Sequence, residues 1–387
     1  MSNHPLKIAI IAPAFPFRGG IAHHSNMLTR YLRKSGHNVD IITFTRQYPK
    51  ILYPGGAQIE TGDNLEFIDI QSERMIDSIN PISWFKTGNL LLKRNYDLVI
   101  IKFWLPFFSP SFGTIAKIVR KNKKTKVMIV CENLIPHEKR IGDKILTKFL
   151  FSKCDLAVTQ SSIVHSQLES LFPKIPQVML PHPVYENFGD KIDKFEALKL
   201  LGIEATNVIL FFGFVREYKG LDLLVNAMPL ILQKIPDLKL FIVGEFFGSS
   251  DKITKQIIDL NIQKSVILHN KYVPNEDVAK WFSASDSLVM PYRSATNSGI
   301  VQIAYNFAIP SIVTNVGSLS EVVLNGRTGF VIDDSKPDTI ADSVFSIFSN
   351  NNLKLFSENI IEERKKYSWE NFAEKLIDFY LNTFVDN

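Results

Sequence analysis

The sequence predicts an α/β architecture of two parallel-sheet domains, on three observations. Short apolar runs recur along the chain, each followed by a turn and then by apolar residues at helical spacing, which is the rhythm of βαβ units. The chain has 387 residues, too many for one ordinary core and suited to two domains of about 190 residues each. Near the middle, Pro181, Pro183 and the polar stretch Glu186-Asn-Phe-Gly-Asp-Lys have the composition of a linker. The expected domains are therefore 1–184 and 185–367. A helical-looking tail at 368–387 is expected to cross back onto the first domain.

Composition narrows the class. Apolar residues make up 45% and charged residues 21%, as in a globular protein and unlike a disordered one. The net charge of +5 is uneven: residues 1–185 carry +11 and residues 186–387 carry −6. A basic half suggests an anionic partner for the first domain. Cys131 and Cys154 form no metal or redox spacing, so free thiols in a reducing compartment are expected. No signal peptide is apparent, and no run reaches the ~18–20 apolar residues of a membrane span. The expected location is cytoplasmic, with contact to the inner face of a membrane as an option.

In the first half, Lys7-Ile-Ala-Ile-Ile-Ala-Pro reads as a buried strand, and an amphipathic helix starts near Ala22 with Met27, Leu28, Tyr31 and Leu32 on its face. Between them stands Gly19-Gly20, where a ligand can approach the backbone closely. This is not the G-x-G-x-x-G fingerprint, which argues against a nicotinamide enzyme. Val39–Phe44 is a second strand, and residues 47–85 look polar and irregular. Tyr96-Asp-Leu-Val-Ile-Ile-Lys-Phe-Trp is a third, ending in the aromatic loop Trp104–Phe112. Those aromatics suit an acceptor wall or membrane contact, and equally suit packing beneath the loop. Arg120-Lys-Asn-Lys-Lys-Thr-Lys carries five cations in seven residues. It suits a solvated face or an anionic lipid surface; no nucleic-acid motif accompanies it, and no nucleic-acid partner is expected. Lys126–Cys131 is another strand, and its following loop holds His137 and Glu138, candidates for contacting a sugar or handling a proton.

The second half is organised around Phe211–Ala227. The apolar run Asn207–Phe212 ends at Gly213. A short polar loop carries Arg216 and Lys219, and Gly220 precedes a helix with Leu221, Leu223, Leu224 and Ala227. Such turns lie at strand carboxyl ends, where α/β sheets bind ligands. Two cations beside the free N–H groups of a helix start make a candidate diphosphate site. Leu238–Val243 is the next strand, ending at Gly244-Glu245, and Asp286–Tyr292 precedes a small polar loop and a helix start at Ser298-Gly299-Ile300, a further candidate phosphate contact. After Pro310-Ser-Ile-Val-Thr, residues 316–331 are expected to form a turn, a short helix and a hairpin-like return.

Taken together, Gly213…Arg216…Lys219-Gly220, Lys271-Tyr-Val-Pro, Met290-Pro-Tyr…Ser298-Gly299…Pro310 and Gly317…Glu321…Gly326…Gly329 resemble the retaining glycosyltransferases of GT-B architecture, glycosyltransferase family 4. Gly19-Gly20-Ile…His23 and Asn133…Pro136-His137-Glu138 also fit, so the resemblance spans nearly the whole chain. It implies two Rossmann-like domains with parallel sheets facing a cleft. The nucleotide-sugar donor would bind the second domain and the acceptor the first. Arg216 and Lys219 would hold the diphosphate, with Gly19, Gly20, Gly244, Glu245, Ser298, Gly299 and Ile300 around it. The base would lie near Tyr272-Val273, and His137 would touch the donor sugar. Trp104 and Glu138 are assigned to the acceptor side. No metal or other cofactor is expected, because fixed cations and helix starts stabilise the leaving group.

One departure stands out. Many members of that family carry a Glu-x7-Glu motif, and anchoring on Pro310 puts Ala295 and Ile303 at its two positions. The usual ribose carboxylate is absent, leaving Gln302 or Ser298 as substitutes in this Ser-Gly variant. The expected activity is retaining transfer of a hexose from a UDP- or GDP-sugar to a hydroxyl of a lipid-linked or surface glycan precursor, as in polysaccharide biosynthesis. Two other readings stay open. A nucleotide-sugar epimerase of similar architecture would need acid/base carboxylates, for which Glu138 and Glu245 are the candidates. A non-catalytic scaffold keeping the fold is favoured by the missing carboxylates and disfavoured by Arg216, Lys219, Gly19 and Gly20.

Overall fold

The computed structural model describes residues 5–17, 19–49, 59, 67, 69–136, 140–184, 188–295 and 299–384. The chain divides into two compact units, Met1–Pro181 with Trp369–Asn387, and His182–Ser368. In the first unit, seven parallel strands alternate with helices: β1 (Lys7–Ile11), α1 (Gly20–Lys34), β2 (Asn38–Arg46), β3 (Ser72–Asp77), α2 (Pro81–Arg94), β4 (Leu98–Phe103), α3 (Ser109–Val119), β5 (Lys126–Cys131), α4 (Asp143–Phe151), β6 (Leu156–Thr159), α5 (Ser162–Leu171) and β7 (Gln177–Met179). Their order in the sheet is β3-β2-β1-β4-β5-β6-β7. The order reverses between β1 and β4, so the turns after these two strands flank a topological switch point.

Burial on both faces explains why β1 and β4 are unbroken apolar runs. One face packs Ala9, Ile11, Val99, Ile101 and Ile129 against α2, α3, α4 and α5. The other packs Ile8, Ile10, Leu98, Ile100 and Met128 against α1 and the final helix, α14 (Trp369–Phe384). Trp369 is fully buried. Its ring stacks on Tyr31 at 6.1 Å and meets His24 edge-on at 4.8 Å.

The second unit opens with α6 (Lys194–Leu201), started by Asp193, whose carboxylate accepts from the N–H groups of Phe195 and Glu196. Then follow β8 (Asn207–Phe212), α7 (Leu221–Lys234), β9 (Leu238–Val243), α8 (Asp251–Asp259), β10 (Val266–His269), α9 (Asn275–Ser283), β11 (Ser287–Met290), α10 (Ile300–Asn306), β12 (Ser311–Thr314), α11 (Leu319–Val322), β13 (Gly329–Ile332), α12 (Pro337–Phe348) and α13 (Asn352–Glu363). The sheet order is β10-β9-β8-β11-β12-β13, with the reversal between β8 and β11.

Two expectations are corrected, and one open reading is decided. Residues 72–85, the end of the stretch read as irregular, hold β3 and the first turns of α2. The helix is announced by Asn80, whose side chain caps the Ile82 N–H at 3.0 Å, and by Pro81 at its first position. The return after Gly326 is a parallel strand and not a hairpin: β13 pairs with β12 in register Ser311↔Gly329. The aromatic loop packs inward, with Phe108 and Phe112 fully buried. Trp104 donates its indole N–H to Tyr48 Oη at 2.9 Å.

Because Trp369 joins α14 to α1, Trp369→Ala should destabilise the first unit by about 3–5 kcal/mol. Denaturant titration followed by circular dichroism would read this as a lower midpoint, and limited proteolysis would find earlier cleavage around α14.

Candidate functional site

At the switch point of the second unit, the turns after β8 and β11 are stapled together. Gly220 has φ +66°, and a Cβ there would lie 2.1 Å from the Pro291 carbonyl oxygen. Only glycine allows that approach. Arg293, just after Pro291, donates to the Glu217 carbonyl at 2.8 Å and to the Asp222 carboxylate at 2.9 and 2.5 Å. Its own N–H donates to the Tyr218 carbonyl at 2.7 Å. The paired Asp222 carboxyl is held below its ordinary value, first by the Arg293 hydrogen bonds. A second lacing joins the β8 turn to the β9 turn. The Val215 N–H donates to the Glu245 carbonyl and the Phe247 N–H to the Val215 carbonyl, at 2.9 and 3.0 Å. Gly244 is required there because a Cβ would meet the Gly213 carbonyl oxygen at 2.3 Å.

The two cations of the turn are unequal. Lys219 is 7% exposed, and no hydrogen bond or ion pair to its ammonium is formed among the described residues. Its Nζ sits 5.6 Å from the centre of the Tyr292 ring and 3.4 Å from where a Gly213 Cβ would stand. Burial, aided by repulsion from Arg216, pulls its pKa down from 10.5 to about 8. Arg216 is exposed, its guanidinium 4.3 Å from the Phe247 ring centre. A largely desolvated ammonium without an anion beside it is costly. An anionic ligand at this turn would relieve that cost.

Gly213 links this turn to two other expected positions: a Cβ on it would lie 3.4 Å from Lys219 Nζ and 2.9 Å from Ile300 Cδ1, and its carbonyl oxygen would lie 2.3 Å from a Gly244 Cβ. Glu245 contributes its backbone, while Gly299 immediately precedes α10. Val273 is buried in the core, and Tyr272 is half-buried. Ala295 and Ile303 carry no carboxylate. The neighbouring Gln302 is buried with both amide atoms unpaired. His137, Glu138 and Ser298 lie outside the described residues. In the first unit, Gly19 (φ +108°) and Gly20 are exposed at the start of α1. Trp104 is half-buried and tied to Tyr48.

A second polar cluster was not anticipated from the sequence. Lys102, at the end of β4, is fully buried and pairs with Glu132, the residue after β5. Its ammonium also lies 3.1 Å from His24 Nδ1. With its carbonyl turned to His24 Nε2 at 2.9 Å, Gln160 donates its amide to Glu132 at 2.6 and 2.8 Å. This arrangement gives a neutral His24 carrying its proton on Nε2, with Nδ1 accepting from Lys102. Burial lowers the Lys102 pKa, and Glu132 opposes that shift. One lysine inside an apolar strand gives no local signal of its partner, which comes from a strand 30 residues away.

Gly220→Ala should cost about 2–6 kcal/mol, combining the left-handed backbone with overpacking against Pro291, read by thermal unfolding. Glu132→Gln strands the Lys102 charge and should cost about 3–5 kcal/mol at neutral pH. The native pKa of Lys102 lies below its unfolded 10.5, so between those values the unfolded chain binds more protons and stability rises with pH. Denaturation curves of Glu132→Gln should therefore recover toward wild type as the pH approaches 10.5; a deficit constant with pH would contradict the assignment.

Comparison with known proteins bears on the fold and on the second half of the chain. Residues 206–350 match the family profile of Glycosyl transferases group 1. An uncharacterized glycosyltransferase of Methanocaldococcus jannaschii is 23% identical over 97% of this chain and 98% of its own length. The D-inositol 3-phosphate glycosyltransferase of Corynebacterium urealyticum is 25% identical over 98% of this chain and 93% of its own. The crystal structure of Anabaena HepE in complex with UDP and glucose superposes with a TM-score of 0.76 at 14% identity, covering 98% of this chain and 100% of that one. The chain thus has the fold of GT-B glycosyltransferases, and its segment 206–350 carries the pattern of Glycosyl transferases group 1.

Proposed function

We propose that this chain, through its group 1 glycosyltransferase domain, moves a hexose from a nucleoside-diphosphate sugar, UDP- or GDP-linked, to an acceptor hydroxyl with retention of configuration. The observation that carries the reading is Lys219: a buried ammonium with no anionic partner among the described residues, on a turn stapled at a sheet switch point. A diphosphate supplies the missing charge, and the exposed Arg216 is free to close on its other oxygens. The UDP named with HepE supports a uridine donor.

In this mechanism the bond from the sugar C1 to the β-phosphate oxygen breaks. The acceptor oxygen bonds to C1 from the same face, and its proton passes to the departing phosphate oxygen. Lys219 and Arg216 stabilise the negative charge that grows on the diphosphate, an effect worth about 2.7–4 kcal/mol per well-placed donor. The reading assigns this role to fixed cations and to no metal ion. His137 would orient the sugar, with Gly19 and Gly20 closing over the donor and Glu138 and Trp104 on the acceptor side. The acceptor is a glycan or lipid-linked precursor, matching the basic first half of the chain.

Calorimetry with UDP, GDP, ADP and CMP tests the reading. One diphosphate should bind selectively, and Lys219→Ala should weaken it at least tenfold. Burial lowers the Lys219 pKa to about 8, and a bound anion raises it. Binding near pH 8 should therefore be accompanied by proton uptake, seen as a dependence of the heat on the buffer's ionisation enthalpy. Unchanged binding or turnover in Lys219→Ala, or no proton uptake, would sink the assignment.

A further inference from the structure

With the aromatic loop turned inward, the apolar surface of the first unit is found elsewhere. Helices α2, α3 and α4 lie side by side on one face of the sheet. Gly88 of α2 faces Ile118 of α3, and Gly113 of α3 faces Phe149 of α4, each at a distance that only glycine permits. Parallel strands require the helices to run back against them, so all three helix starts lie along the carboxyl edge of the sheet. The large apolar side chains that remain in water concentrate there. Ile82 and Phe85 in the first turns of α2 are 64% and 54% exposed, Ile145 of α4 is 74% exposed, and Ile141 just before α4 is fully exposed.

Charge on this layer is predominantly positive. Lys86 and Lys93 of α2, Lys117 of α3, and Lys144 and Lys148 of α4 are all exposed. The only carboxylate on the three helices is Asp143, half-buried, which accepts from the Arg140 N–H at 2.8 Å. Isoleucines and a phenylalanine ringed by lysines, with Asp143 the one acidic side chain on the three helices, match the chemistry of an anionic bilayer surface: apolar groups enter the headgroup boundary and ammonium groups meet lipid phosphates.

We propose that this face docks the first unit onto an anionic lipid bilayer. Ile82, Phe85, Ile141 and Ile145 insert, and Lys86, Arg140, Lys144 and Lys148 contact the phosphates. The proposal is independent of the transferase reading, because its measurement needs no turnover.

The test is flotation with vesicles of phosphatidylglycerol in phosphatidylcholine, against phosphatidylcholine alone. The protein should float with the anionic vesicles at low salt, and raising the salt to about 0.5 M should release it. Phe85→Ser with Ile145→Ser should lower the affinity roughly tenfold or more, with an unchanged melting temperature. Lys86→Ala with Lys144→Ala and Lys148→Ala should weaken binding and flatten its salt dependence. Ile258→Ser, an exposed isoleucine of α8 in the second unit, should float like wild type. No flotation, equal flotation with neutral vesicles, or full binding by the serine double variant would overturn the proposal. Self-association in sedimentation equilibrium that the same double variant abolishes would also overturn it, by making a second copy the occupant.

Discussion

The approach of Gly220 to the Pro291 carbonyl is the constraint on which the second unit's site depends. It brings the turn after β8 against the turn after β11, across the point where the strand order reverses. Once these turns touch, Arg293 reaches Glu217 and Asp222, and Lys219 is folded under Gly213 beside Tyr292. The lysine is left largely desolvated, with no anion beside it among the described residues. A surface ammonium would gain little from a diphosphate, because water already solvates it; a desolvated one gains much more. The staple therefore does chemical as well as structural work, by setting how strongly the site attracts negative charge before any ligand arrives.

The first unit treats its buried lysine in the opposite way. Lys102 is as deeply enclosed as Lys219, yet it is satisfied by Glu132 and His24, with Gln160 completing the circuit. All these groups stand at or just after the carboxyl ends of β4, β5 and β6 or on α1, and α14 covers them with Trp369 and Phe372 against His24. A closed network of this kind orders the surrounding turns and offers no charge to a ligand. Two buried lysines at equivalent edges of two similar sheets thus have different chemical meaning, and the difference lies wholly in their neighbours.

Much of the architecture is legible because strand burial on both faces writes apolar runs directly into the chain. Lys7–Ile11, Leu98–Phe103 and Asn207–Phe212 are strands for that reason, and the turn carrying Arg216 and Lys219 follows from its punctuation by Gly213 and Gly220. Elements escaped where the pattern was weaker. Helix α2 leaves Ile82 and Phe85 in water, so its apolar residues do not trace one clean stripe. The strand at Gly329–Ile332 follows a Gly-rich turn that reads locally as a hairpin; its parallel pairing depends on Ser311 lying beside it. The loop at Trp104–Phe112 has a composition fit for a surface or a core, and the packing of Phe44 and Tyr48 against it chose the core.

The sequence by itself determined the alternation of strands and helices, the division into two domains, and the turns that carry glycines and cations, because these are local properties of spacing and backbone freedom. Tertiary structure decided which lysine is paired and which is bare, which aromatic residues are covered, and which isoleucines stay exposed. The physical reason is that desolvation and pairing depend on groups distant in the chain. Arg293 meets Asp222 across 71 residues, and Lys102 meets Glu132 across 30; no local pattern records either meeting.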